Sequence, residues 1–104
     1  MASEPIITAK DDRGEPRDEV FHRSRAILPD RRSVPIVVVN LSPHGLMIRS
    51  DAPISAGEWI KVALPVVGDV DAAIRWALGG RIGCQLDRPI AAAQYYAVLA
   101  AMRA

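Results

Sequence analysis

Two short stretches hold residue types suited to gripping an anion or a nucleobase. RGEPR, residues 13–17, places Arg13 and Arg17 four apart in a charged segment with a glycine and a proline. NLSPHG, residues 40–45, supplies an amide at Asn40, a hydroxyl at Ser42, an imidazole at His44 and a backbone without Cβ at Gly45. A guanidinium is a planar fork of donors that fits phosphate oxygens, carboxylates and base edges. Four residues of extended chain reach roughly 13 Å, so Arg13 and Arg17 can contact different parts of one ligand. Asn40 and Ser42 are two apart and share a face of an extended chain. The Asn40 amide and the Ser42 hydroxyl can each exchange hydrogen bonds with a ligand on that face. At Gly45 a ligand can approach the backbone and φ can turn positive. Taken singly, NLSPHG is an ordinary hairpin loop and RGEPR a solvated tail. Their joint occurrence points to a binding site.

Other residues can add to such a site or serve only the fold. Trp76, in IRWAL, can stack on a flat ring of a ligand or sit half-buried in a strand. His44 can touch a phosphate or be an exposed loop histidine. Arg23 and Arg25 share a strand face and either line the site or form a solvated surface. Arg75 and Arg81 flank a hairpin and add positive potential, whereas Arg31 and Arg32 read as solvated turn residues. Trp59 reads as core or barrel surface, and Tyr95-Tyr96 as helix packing. Eleven of the thirteen basic residues are arginine; the plain reading of that total is GC-rich coding, so only placement carries function.

The classes this composition disfavours are clear. A net charge of +1 does not suit a general nucleic-acid binder. Five aromatic residues are too few for a single-strand stacking platform. One cysteine and two histidines in unrelated places make no zinc site. His22, His44 and Ser42 lack any catalytic signature, and no P-loop or paired carboxylates stand in a pocket pattern. The expectation is a binding protein, not an enzyme, with no cofactor and no metal.

These residues must be positioned by a small fold. The 104 residues suit one domain. No apolar run approaches the roughly 18 residues of a membrane span, and MASEPIITAK lacks the pattern of a signal peptide. Cys84 has no internal partner, which agrees with a reducing compartment, so a cytoplasmic protein without membrane insertion is expected. Residues 1–18 lack an apolar period and form a mobile arm that a ligand could order; residues 19–104 form the folded unit. From Glu19 the chain alternates, with Val20, His22, Ser24, Ala26 and Leu28 on one side of a first strand. Further strands are expected over 34–41, 46–50, 58–64, 70–78 and 81–86, with a Gly79-Gly80 hairpin before the last. After Pro89 the spacing of Ile90, Ala93, Tyr96, Ala97 and Ala100 predicts a helix, with Asp87 as its cap. Six short strands and one helix predict a mainly all-β fold, a small closed or nearly closed antiparallel barrel.

RGEPR has the form R-x-x-x-R, and NLSPHG, 23 residues on from Arg17, has the form D/N-x-S-x-x-G. In this order, on this strand pattern, the chain resembles the PilZ domain, a six-stranded β-barrel family that binds the bacterial second messenger cyclic di-GMP. GGRIGCQL, residues 79–86, is similar to that family's closing strand, with Leu86 where an aromatic residue is common. The resemblance implies that Arg13, Arg17, Asn40, Ser42 and Gly45 bind cyclic di-GMP, with His44, Trp76, Arg23 and Arg25 as additional candidates. It also implies an adaptor that orders its arm on the ligand and signals in trans to a partner protein, with no DNA or RNA involved. The alternative is a degenerate member that serves only as a protein-interaction module. Asp11 and Asp12 beside Arg13 repel a dianionic ligand, and Asn40 accepts less strongly than an aspartate would.

Overall fold

The computed structural model describes residues 16–103. Arg13, Asp11, Asp12 and the rest of the expected arm through residue 15 lie outside the described residues. The elements are β1 (Asp18–Ile27), β2 (Ser33–Ser42), β3 (Gly45–Arg49), β4 (Trp59–Leu64), β5 (Gly68–Leu78), β6 (Arg81–Leu86) and α1 (Ala92–Met102). The strands close into an antiparallel barrel in the order β1-β2-β3-β6-β5-β4. Ala26 opposite Val62 and Ile27 opposite Lys61 join β4 back to β1. The six-stranded barrel with a C-terminal helix is therefore the fold.

Alternation drives the barrel. Val20, His22, Ser24 and Ala26 lie on the less exposed side of β1; Phe21, Arg23, Arg25 and Ile27 are exposed. Ile36, Val38, Ile48, Ile60, Val62, Ile74 and Ile82 fill the interior, each 3 % exposed or less. β-Branched side chains suit such a pleated, packed surface.

Three irregularities in register occur, and those in β2 and β5 break the alternation of burial while β1 keeps it. They fall between Glu19 and His22 in β1, between Val38 and Asn40 in β2, and between Ile74 and Trp76 in β5. A bulge inserts a residue and moves all that follows to the other face. In β2 the interior therefore passes from Val38 to Leu41, and Asn40 comes opposite Met47. In β5 the extra residue brings Trp76 opposite Gly83. Strict alternation would have sent Asn40 and Trp76 into the core.

The helix corrects two expectations. Its N-cap is Ala91 with no side-chain cap, so Asp87 does not cap it; the Asp87 N–H instead donates to the Asp71 carbonyl. Its buried face is Tyr95, Val98, Leu99 and Met102. Of the expected face only Ile90, ahead of the helix, is buried; Ala93, Tyr96, Ala97 and Ala100 are exposed. Alanine fits either face of a helix, so its spacing carries little information. The larger side chains decide orientation because they remove more apolar area from water.

Candidate functional site

The turn from β2 to β3 organises the site. Ser42 is 1 % exposed. Its Oγ accepts from the Gly45 N–H at 3.2 Å and donates to the Gly45 carbonyl at 3.3 Å. The hydroxyl thus clasps both ends of the residue that restarts the chain, and its first task is to hold the hairpin. From outside the turn, the Leu86 N–H donates to the His44 carbonyl at 2.9 Å and the Ile90 N–H to the Pro43 carbonyl at 2.8 Å. The chain leading into α1 therefore fixes the outer side of NLSPHG.

Gly45 does not have positive φ. Its need for glycine is spatial: a Cβ there would lie 2.7 Å from the Cys84 carbonyl oxygen on β6. A second glycine, Gly83, stands opposite Met47. A Cβ on Gly83 would fall 2.2 Å from Trp76 Nε1, so the indole lies directly over that backbone. Beside these two close approaches lies a cleft of about 410 Å³ on the outer wall of the barrel. It is lined by Arg17, Ser42, His44 and Gly45 from the two motifs, and by Met47, Arg75, Trp76, Gly83 and Gln85. This volume lies within the range of small-molecule sites.

Arg17 joins the two motifs. Its Nη1 donates to Asn40 Oδ1 at 3.3 Å across 23 residues of sequence. Asn40 Nδ2 faces Met47 Sδ at 3.8 Å. Arg75 Nη1 donates to Gln85 Oε1, so one side of the cleft carries a positioned guanidinium. Trp76 is 42 % exposed, with ring surface open to solvent. Cys84 is buried below the cleft, and burial pushes its thiol up to about 12, which keeps it protonated and unreactive.

The candidates from sequence divide in space. Arg17, Ser42, His44, Gly45 and Trp76 line one cleft, and Asn40 touches it through Arg17 and Met47. Arg13 lies outside the described residues. Arg23 lines a separate groove, and Arg25 is held by Ser33 through Oγ at 2.8 Å and the carbonyl at 2.9 Å. Neither of these two lines the cleft with Trp76. Met47 and Gln85 enter the cleft without a sequence signal, since only cross-strand register puts them beside Gly83 and Arg75. Among the described residues no cluster of three metal-ligating side chains occurs. No helix among them is long and apolar enough to cross a membrane.

The fold is a closed barrel with a cleft on its outer wall that carries Arg17, Arg75 and the Trp76 ring. Family comparison is specific: residues 11–102 match the PilZ domain model, and the chain belongs to that family. PilZ domains are generally cyclic di-GMP receptors, binding and adaptor domains not typically enzymes. Among curated proteins none matches the chain.

Proposed function

We propose that this chain is a cyclic di-GMP receptor that passes the signal to a partner protein. The observation that carries the reading is the Arg17–Asn40 hydrogen bond at 3.3 Å beside the glycine-floored cleft. It joins both halves of the bipartite motif at a place able to hold a flat, anionic ligand.

Each group has work suited to that ligand. Arg17, with Arg13 from the preceding segment, grips guanine O6/N7 or a phosphate. Asn40 exchanges its bond from Arg17 for one from a guanine N–H. Trp76 offers a face for stacking, worth about 1–3 kcal/mol per base. Arg75 adds positive charge on the far wall, and His44 stands at the phosphate side. Ser42 acts mainly by holding Gly45, which keeps the floor open. Closure of the segment carrying both arginines builds a new surface from groups brought together by the ligand.

Signal can leave the site through α1. Tyr95 Oη lies 2.6 Å from Asp18 Oδ2 and 2.9 Å from the Leu41 carbonyl oxygen. Asp18 follows Arg17 in the chain, and Leu41 lies between Asn40 and Ser42. Arg103 donates to the Glu19 carbonyl through Nε at 3.1 Å and Nη2 at 2.8 Å. A shift of Arg17 onto a ligand therefore pulls on residues that the helix already holds.

Titration calorimetry with cyclic di-GMP on the wild type and on Arg17→Ala tests the reading. Binding at micromolar Kd or tighter is expected, with a loss of at least tenfold in the variant, about 1.4 kcal/mol. Ligand at a hundredfold excess over Kd adds about 2.7 kcal/mol of stability. That corresponds to a rise in Tm of roughly 10–20 °C for a domain of this size. No heat and no rise in Tm at millimolar ligand overturn the reading and leave a protein-interaction module.

A further inference from the structure

The outer wall carries a second feature at its other end. Cross-strand register sets Arg23 opposite Val37, Val37 opposite Arg49, Arg49 opposite Arg81, and Arg81 opposite Leu78. This single row crosses five strands and holds three exposed arginines. None of the three has an ion pair, and none donates a side-chain hydrogen bond, among the described residues. Arg23 lies over the Phe21 ring, 5.8 Å from its centroid. Arg49 and Arg81 directly face one another, and like charges so placed destabilise a sheet. Nothing in the fold requires that arrangement. The hairpin is set by Gly79 and Gly80, both at positive φ, and the Ser50 N–H bonds the Gly80 carbonyl at 3.0 Å.

From these observations we infer that the row is a docking surface for an acidic, partly apolar segment of another protein. Two unpaired guanidinium groups side by side suit two carboxylates along one strand of a partner. Apolar surface lies at hand: Leu78 ends the row 78 % exposed, and a groove of about 670 Å³ beside Arg23 and Arg49 is floored by Val34, Pro35, Ala52 and Pro53. The positive field is local. Asp51 lines the same groove, Asp69 and Asp71 are exposed on β5, and the whole chain is only +1. A short acidic segment matches such a field better than a nucleic acid or an anionic membrane does. Arg49 lies four residues along β3 from Gly45, roughly 13 Å away. The surface is thus on the same wall as the cleft yet distinct from it, and the inference does not need a nucleotide to bind.

Arg49→Glu is the informative variant. It sets opposite charges across the β3–β6 pair, so its Tm is expected to equal or exceed that of the wild type, while the row loses two units of positive charge. The probe is a pool of labelled twelve-residue peptides, each with four acidic residues and two leucines in varied order. It is read by fluorescence anisotropy at low salt and by amide NMR on the intact chain. Peptide binding with amide shifts at Arg49, Arg81 and Leu78 is expected, weakened at least tenfold in Arg49→Glu and in Arg81→Gln. Peptides with glutamine and asparagine in place of the acids should not bind. The inference is overturned by unmoved amides at millimolar peptide, by unchanged affinity in both variants, or by a lower Tm in Arg49→Glu. Tighter binding to an oligothymidine or to phosphatidylserine vesicles than to the peptides overturns it as well.

Discussion

Gly45→Ala and Gly83→Ala add the same methyl group to the same cleft, and the structure sets them apart. At Gly45 the obstacle is backbone: the new Cβ meets the Cys84 carbonyl oxygen at 2.7 Å. β3 and β6 are paired there, Gly45 opposite Gln85, so relief requires the strands to part. Overpacking of this kind costs about 1–3 kcal/mol. The strained Ser42 hydroxyl bonds add about 1 kcal/mol, and the chain entropy lost with glycine returns about 0.5–1 kcal/mol. The net loss is about 1–3 kcal/mol, a fall in Tm of roughly 4–24 °C. At Gly83 the obstacle is the Trp76 ring, 42 % exposed and able to swing out. Gly83→Ala should therefore cost less than about 1 kcal/mol while removing the indole from its seat. Thermal melts by circular dichroism read the first effect. Tryptophan emission and calorimetric titration with cyclic di-GMP read the second, with a loss in affinity of about tenfold or more expected for Gly83→Ala. Equal melting of Gly45→Ala and wild type, or a Gly83→Ala protein as unstable as Gly45→Ala with its tryptophan emission unchanged, would refute the reasoning.

Two further outcomes follow from the packing. Tyr95→Phe removes the hydroxyl whose single proton ties α1 to the Asp18 carboxylate at 2.6 Å, with the Leu41 carbonyl oxygen 2.9 Å away. A hydrogen bond to a charged group contributes about 1.5–3 kcal/mol, so a chemical-denaturation midpoint clearly below that of the wild type is expected; an unchanged midpoint would show that the helix is held by apolar contacts alone. Cys84, with its thiol raised to about 12 by burial, should react with a disulfide reagent at pH 8 only as fast as the barrel opens. The sign for stability follows: the neutral thiol is favoured in the fold, so its contribution is complete below about pH 9 and declines as pH rises toward 12. A Cys84→Ala protein should lose less stability over that window, and an identical alkaline profile would count against the burial account.

The amino-acid sequence by itself determined the barrel and the two motifs. Alternation of β-branched residues with polar ones marks each strand, Gly79-Gly80 marks a tight turn, and RGEPR with NLSPHG marks the family. These signals are local, and local signals survive without a partner. Tertiary structure decided the rest. Strict alternation puts Trp76 on the side of Ala72 and Ile74; a bulge that no residue type announces turns it out over Gly83. The same device in β2 brings Asn40 beside Met47 and within reach of Arg17. Gly45 reads as a residue needing freedom of φ, whereas the crowding carbonyl comes from a strand 39 residues further on. The helix face was illegible because alanine commits to neither side, and only packing on the barrel chose Tyr95 and Val98 over Tyr96 and Ala97. Arg49 and Arg81 become neighbours only by cross-strand register. Residue types fix what each side chain can bond; which side chains meet is settled by register, and register is a property of the closed sheet as a whole.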